Sequence, residues 1–314
     1  MTKPLPLALL AALCAATATA QAEVSFDANL ELDPTYVGAR DNPSAKSTLD
    51  IGGRVELNAN AALHKNGDNF VKARASLIVP VNGDAVRMDD LWLQFGNASA
   101  DFKIGRFEAV DLFPLGLDTI VQPATGTAGP VALGSRNNFL RGRITDGRVH
   151  GALGVNLADN LRLELGMVGP KRNETVAYKP YGLRPVLVYK VGALTATAGA
   201  EILKGNLDSV PDSVGMGATL GYAVNKDMTL NVNYGRNSKR DSSSLGANAL
   251  FHGALGVGFV QDKDAHAKVD TYYVAYKMPL LGVKGAYITP ALNYSRGTGV
   301  DKLLAVRVRL NYAF

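Results

Sequence analysis

The chain has 314 residues, a formal net charge of +5, 33 glycines and 47% hydrophobic residues. Its mean hydropathy is near zero (+0.02), and no apolar stretch approaches the ~20 residues that a membrane-spanning helix needs, which excludes helical membrane spans. The charges are scattered over many segments rather than clustered on one element, which argues against nucleic-acid binding.

Residues 1–22 have the organisation of a secretory signal peptide. Lys3 supplies a positive start, an apolar run covers 5–16, and Ala20-Gln21-Ala22 forms a small-x-small cleavage site. Cys14, the only cysteine, lies in the apolar run. A lipid anchor on Cys14 is disfavoured because Leu13 occupies a position that normally holds a small residue. We therefore expect the signal peptide to be removed and residues 23–314 to form one domain without thiol chemistry.

Strict alternation of apolar and polar residues marks both ends of the mature chain. The last strand has apolar residues at every second position, and the first strand, from residue 24, does the same. A β-strand places alternate side chains on opposite faces, so one face is apolar and the other polar. The apolar set of the last strand is Leu304, Val306, Val308, Leu310, Tyr312 and Phe314. Together with a signal peptide, this pattern predicts an outer-membrane β-barrel.

Between these ends, further strands alternate with short turns and longer polar loops. Turn signals such as Asn66-Gly67-Asp68 and Asn225-Lys226-Asp227 lie between consecutive strands. About fourteen strands are predicted, and sixteen if the apolar segment 247–260 forms a strand pair of its own. The predicted fold class is all-β: a closed antiparallel transmembrane barrel with an inward-folded constriction loop.

The polar face of the strands should line a water-filled lumen. Its acids, bases and amides either form a rigid network of salt bridges or offer a hydrogen-bonding track to a polyhydroxylated solute. In Asp90-Leu91-Trp92-Leu93-Gln94, parity places Trp92 on the lumen side with Asp90. A lumen-facing indole would stack against a sugar ring. The alternative is that a β-bulge reverses the local parity, so that Trp92 belongs to the aromatic girdle at the lipid interface. Parity also places Tyr273 and Tyr287 inside, and it assigns four other tyrosines to the lipid face: Tyr272, Tyr276, Tyr294 and Tyr312.

The loop at about residues 108–137 is long and apolar enough to have a function of its own. Folded into the barrel, it would bring its carboxylates towards arginines and set the size limit and transverse field of a channel. An extracellular cap is the alternative. The candidate constriction residues are Asp90, Arg106, Glu108, Asp111, Asp118, Arg136, Arg141 and Arg143, with Trp92 as the candidate sugar-stacking residue.

Several sequence blocks resemble the raffinose-porin type of glycoporin. The most specific block is Gly105-Arg106-Phe107-Glu108, continuing through Asp111-Leu112-Phe113-Pro114-Leu115-Gly116. Asp89–Gly96, Leu140–Arg143 and Arg307–Phe314 are similar as well. The resemblance implies an outer-membrane sugar channel with an inward constriction loop and a homotrimeric assembly, although this chain is shorter than expected for the family.

The leading functional interpretation is passive diffusion of oligosaccharides across the outer membrane, without a cofactor or metal. An anionic, uronate-type solute is the variant that the positive net charge favours, and a general diffusion pore is another alternative. A barrel enzyme would need a nucleophile and base, and His150 is the histidine that sequence parity places alone on a small lumen face. An adhesive or structural barrel plugged by the 108–137 loop would pass almost no ions.

Overall fold

The computed structural model describes residues 23–39, 46–117, 135–137, 139–143, 148–171, 181–204, 212–238, 241–298 and 300–314. The predicted signal peptide at 1–22 lies outside the described residues, and its removal stays a prediction. Among the described residues, no helix is long and apolar enough to cross a membrane.

The described residues form a closed antiparallel β-barrel in which each strand pairs with its neighbours along the chain. Its segments are β1 (Glu23–Ala39), β2 (Thr48–Asn66), β3 (Asn69–Pro80), β4 (Arg87–Gly96), β5 (Ala100–Arg106), β6 (Arg148–Ala158), β7 (Leu161–Lys171), β8 (Tyr181–Val191), β9 (Leu194–Lys204), β10 (Ser213–Asn225), β11 (Met228–Asn237), β12 (Ser242–Phe251), β13 (Leu255–Lys263), β14 (Lys268–Tyr276), β15 (Met278–Pro279), β16 (Ala286–Thr298) and β17 (Leu303–Ala313).

The two-residue β15 continues β14, because both pair with β16, so the described segments make sixteen barrel strands. The sequence predicts about fourteen strands with sixteen as the alternative, and the structure has the larger number. The additional pair is β12 and β13, which together hold the apolar segment 247–260.

The barrel closes where β1 pairs with β17, from Asn29 opposite Ala313 to Ala39 opposite Leu303. Phe314 completes this seam: its N–H donates to the Ala28 carbonyl at 3.0 Å, and its carbonyl accepts from the Ala28 N–H at 2.8 Å. Closure matters because an unpaired strand edge in lipid would leave backbone polar groups unsatisfied.

The alternation of side chains produces the two surfaces of the wall. Along β10, Val214, Met216 and Leu220 are 42%, 63% and 55% exposed on the outside, while Gly215, Gly217 and Thr219, which alternate with the outward-facing residues, are buried inside the barrel. Tyr272, Tyr276 and other aromatic residues are exposed on the same outer surface. This surface is the lipid-facing belt.

Short turns lie at one end of the barrel, and the longer connections lie at the other. The connection from β5 to β6 is the longest, and its described parts are residues 107–117 and 135–137 with 139–143. Both parts lie inside the barrel, as the contacts below show. We call them the inner loop.

Candidate functional site

A row of alternating carboxylates and guanidinium groups crosses the inner wall from β17 through β1, β2 and β3 to β4. Neighbours in the row are joined by N···O separations between 2.7 and 3.5 Å. The row, called the charge ladder here, consists of Asp33, Arg309, Glu31, Arg54, Glu56, Arg74 and Asp90. Because each acid contacts at least one base, the ladder stiffens the wall and neutralises most of its own charge.

Arg143 of the inner loop continues the charge ladder away from the wall. Its Nη2 lies 3.1 Å from Asp89 Oδ2, and its Nε lies 3.2 Å from Asp90 Oδ1. Its Nη1 lies 3.5 Å from Glu108 Oε1. Burial alone would lower the pKa of Arg143, but the neighbouring carboxylates, Glu108 first, outweigh that effect and raise this pKa above its ordinary value.

Arg141 also contacts Glu108, with its Nη2 at 3.2 Å, and adds Asp111 to the cluster at 3.5 Å. The predicted residues Asp90, Glu108, Asp111, Arg141 and Arg143 therefore meet in one ion-pair cluster inside the barrel. Glu108, Asp111, Arg141 and Arg143 are part-exposed, so they remain accessible to a passing solute, whereas Asp90 is buried.

Arg106 lies beside this cluster but contacts backbone rather than carboxylates. It donates to the Met88 carbonyl at 3.2 Å and to the Arg143 carbonyl. Arg106 thus ties the end of β5 to the returning leg of the inner loop. Asp118 lies outside the described residues.

Asp89 is a member of the cluster that parity assigns to the lipid face. A register shift between β3 and β4, at Ala75 and Leu77, places two residues of β4 opposite Ser76. Such a bulge turns both Asp89 and Asp90 inwards. Asp89 is 5% exposed and contacts Arg143.

The first leg of the inner loop is held to the wall by hydrogen bonds to its carbonyl groups. Asn233 and Asn248 both donate to the Pro114 carbonyl, at 2.7 and 2.9 Å. Thr219 Oγ1 donates to the Leu112 carbonyl at 3.0 Å. Asn233, which parity places on the lumen face, therefore serves the loop, and it is only 1% exposed.

Phe113 is the apolar anchor of the same leg. It is 4% exposed and packs against Val260 and Tyr273 on β13 and β14. Tyr273 lies inside, where parity places it, but the loop covers its ring and its hydroxyl donates to the Leu115 carbonyl at 3.2 Å. Tyr273 is therefore not available to stack against a solute.

Small residues on the inner faces of β10 to β12 leave room for this leg. A Cβ at Gly217 would lie 3.0 Å from Leu112, and one at Gly246 would lie 3.0 Å from the Phe113 ring. Both distances are tighter than most real contacts, so larger side chains would displace the loop. The Gly-Ser-Asn inner faces are the sequence signal of a docked loop, and sequence reasoning missed it.

The second leg is fixed on other strands. Arg136 Nη2 lies 2.7 Å from Asp262 Oδ2 on β13, and its guanidinium lies 5.3 Å from the Phe113 ring centre. The Leu140 N–H donates to Glu201 at 2.8 Å. Arg136 therefore anchors the loop to the wall and is only 13% exposed.

A buried arginine links the two legs. Glu164 accepts from the Val110 N–H of the first leg at 2.9 Å, and Glu201 holds the second leg. Arg184, 1% exposed, lies 3.9 Å from Glu164 and 3.7 Å from Glu201. Arg184, Glu164 and Glu201 thus hold both legs against β7, β8 and β9.

Trp92 lies on the inner face below the ion-pair cluster, towards the short-turn end. Lys103 Nζ is 4.6 Å from the centre of its ring, and Trp92 packs against the buried cluster of Phe107, Ala109 and Ala152. The indole also lines an open recess of about 540 Å³. Polar groups of Glu23, Ser25, Asn60 and Lys72 line the same recess.

His150, the catalytic candidate, is 1% exposed and stacks on Phe107 with ring centres 4.1 Å apart. Neither of its ring nitrogens has a hydrogen-bond partner among the described residues. In the same described part of the chain, no group of three histidine, cysteine, aspartate or glutamate side chains is placed to hold a metal.

Residues 24–157 match the family of the porin-like glycoporin RafY. A structure titled "Asymmetric conductivity of engineered proteins" aligns over 93% of this chain and 100% of its own, with a TM-score of 0.63 and 13% identity. A variant of the Rhodopseudomonas blastica porin covers 92% of this chain and 100% of its own, with a TM-score of 0.61 and 14% identity. No curated protein matches the sequence.

The chain has the fold of an outer-membrane porin. The structural likeness establishes the barrel. The family match covers β1 to β4, which carry every member of the charge ladder except Arg309 on β17, together with Trp92 and the inner loop. In this barrel the inner loop follows one side of the wall, β7 to β14, while the charge ladder lines the other.

Proposed function

We propose that this chain is an outer-membrane porin that admits neutral oligosaccharides to the periplasm by passive diffusion. The observation that carries the proposal is the pairing of Trp92 with a polar recess in a lumen whose charges are largely paired. An indole offers an apolar ring face to the C–H groups of a pyranose, and the neighbouring amide, hydroxyl and charged groups can replace the hydration of its hydroxyls. The recess volume is within the range of ligand sites.

Paired charges favour a neutral solute over an anionic one. The charge ladder and the Arg143 cluster contain at least one carboxylate contact for each of their guanidinium groups. Four exposed cations that raise the net charge instead lie on the outer surface: Arg236, Lys263, Lys268 and Arg296. The net charge of +5 is therefore weaker support for a uronate channel than composition alone indicates.

Weak, distributed contacts suit transport, because a solute that binds tightly at one point would not leave. Trp92 near the short-turn end and the Arg143 cluster above it provide two separate contact zones. The family and the fold point to a channel rather than an enzyme, and the buried, stacked His150 offers no support for hydrolysis.

Single-channel current in planar bilayers tests the proposal. We expect a neutral trisaccharide to block the ionic current in a concentration-dependent and saturable way, with little dependence on salt. Block by a uronate trimer alone, weakening as salt rises, would favour the anionic alternative. Conductance without block by either would indicate a general diffusion pore, and absence of conductance would indicate a plugged barrel.

We also propose a homotrimer as the assembly, on the strength of the sequence resemblance. Light scattering in detergent, corrected for bound detergent, should give three times the protein mass of one chain. A mass of one chain would contradict this assignment.

A further inference from the structure

An exposed basic strip lies on the outer face of the barrel at the long-loop end. It consists of the side chains Arg236 on β11, Lys263 on β13, Lys268 on β14 and Arg296 on β16. In β11, β13, β14 and β16 these residues share parity with the outward-facing Tyr234, Phe259, Tyr272 and Tyr294, so they point away from the lumen.

The described residues place no carboxylate within ion-pair distance of the basic strip. Lys263 and Lys268 lie directly opposite each other on neighbouring strands, a placement in which like charges repel. Within the described parts of the chain, no carboxylate forms an ion pair with any of the four cations. Arg296 instead lies over the Tyr272 ring, 5.8 Å from its centre.

Three described carboxylates lie near the strip: Asp270, Asp264 and Asp241. Asp270, opposite Arg296 in register, accepts a hydrogen bond from Gln261 at 2.8 Å. Asp264 accepts the N–H groups of its own turn. Asp241 lines a small recess of about 190 Å³ with Arg236 and Lys263, at a distance that makes no ion pair.

Below the basic strip, the same face carries an apolar groove of about 600 Å³. Its floor is formed by the small residues Ala247 and Ala249 on β12, between larger side chains of the neighbouring strands. The flanking residues include Val232, Phe259, Tyr272, Val274, Leu292 and Tyr294. Tyr272 therefore belongs to the groove and contacts the basic strip.

We propose that this face binds a phosphorylated lipid of the outer leaflet, with its phosphate on the basic strip and an acyl chain in the groove. Lysine and arginine pair well with phosphate oxygens, and arginine does so through parallel hydrogen bonds. The long-loop end of an outer-membrane barrel faces the cell exterior, so the strip lies at the depth of the outer headgroups. An anion there relieves the Lys263–Lys268 repulsion.

A second copy of the chain fits this face less well. Among the described strand residues whose side chains point outwards, Asp270 is the only carboxylate, so the described strands of a partner barrel would bring no acidic patch to meet the strip. A lipid phosphate supplies the missing charge, and its acyl chain matches the groove.

Native mass spectrometry of the detergent-solubilised barrel tests the proposal, with diphosphorylated lipid A as the probe. We expect the wild-type barrel to retain the probe. The affinity for the probe should fall at least about tenfold in K263Q/K268Q/R296Q. Ala247→Phe, which fills the groove, should weaken it too. The control is Lys204→Gln, because Lys204 faces outwards near the same end but is paired with Asp212 at 3.5 Å. Unchanged conductance checks that each variant folds, since these side chains lie outside the lumen.

The alternatives give different results. Equal retention of fully dephosphorylated lipid A, or equal binding by wild type and triple variant, would overturn the proposal. A triple variant that loses its oligomeric mass while retaining the probe would identify the face as a subunit interface, and would also overturn it.

Discussion

Phe113→Ala should release the first leg of the inner loop from the wall. The ring is 4% exposed between Val260 and Tyr273, and removing a buried phenylalanine costs about 3–5 kcal/mol. The strand pairing of the barrel does not change. We therefore expect the lost free energy to destabilise the docked loop relative to the detached loop. A loss of that size raises the detached-to-docked ratio about 200- to 5,000-fold.

Hydrogen bonds to the Leu112, Pro114 and Leu115 carbonyls remain in this variant. Each contributes about 0.5–1.5 kcal/mol, so the loop should be loosened rather than lost. The expected result is a single-channel current that flickers between levels, where the wild type is steady. The thermal unfolding temperature should change little, because the strand hydrogen bonds are intact.

Phe95→Ala is the matched control, since it removes the same ring from the outer face, where Phe95 is 45% exposed. It should leave the current steady. A folded Phe113→Ala channel with a trace as steady as that of the control would refute the role assigned to Phe113.

Three further predictions concern the wall, the cluster and the recess. Gly246→Leu should produce the same flicker as Phe113→Ala, because the leucine side chain would occupy the space of the Phe113 ring. The double variant with both substitutions should flicker little more than either single variant, and an additive effect would contradict a shared site. Arg143→Gln should shift the reversal potential in a salt gradient towards cations, an effect that 1 M salt suppresses; an unchanged or anion-directed potential would contradict it. Trp92→Ala should raise the sugar concentration for half-block about two- to tenfold with nearly unchanged open-channel conductance, and Trp92→Phe should lie between; unaffected block would refute stacking.

Periodicity is informative about the barrel because lipid and lumen impose opposite chemistry on alternate residues of every strand. It therefore predicts the barrel and the two faces. It is less informative where a third element covers the inner face. Asn233 and Tyr273 have lumen parity, but the inner loop buries both. In the sequence, only the small residues around them, such as Gly246, indicate that a loop docks there.

Bulges are the second limit, because one additional residue reverses parity locally. Asp89 enters the Arg143 cluster through such a bulge opposite Ser76, and a period of two cannot predict it. Turn lengths and apolar content indicate the β12–β13 pair more weakly, which is why fourteen and sixteen strands both fit the sequence.

Swelling of proteoliposomes in a size series of neutral sugars tests the central claim most directly, because it measures flux rather than block. We expect a trisaccharide to enter faster than a poly(ethylene glycol) of equal mass, and this advantage should shrink in Trp92→Ala. Equal rates for sugar and polymer at every mass would contradict an oligosaccharide channel and leave a pore that discriminates by size alone.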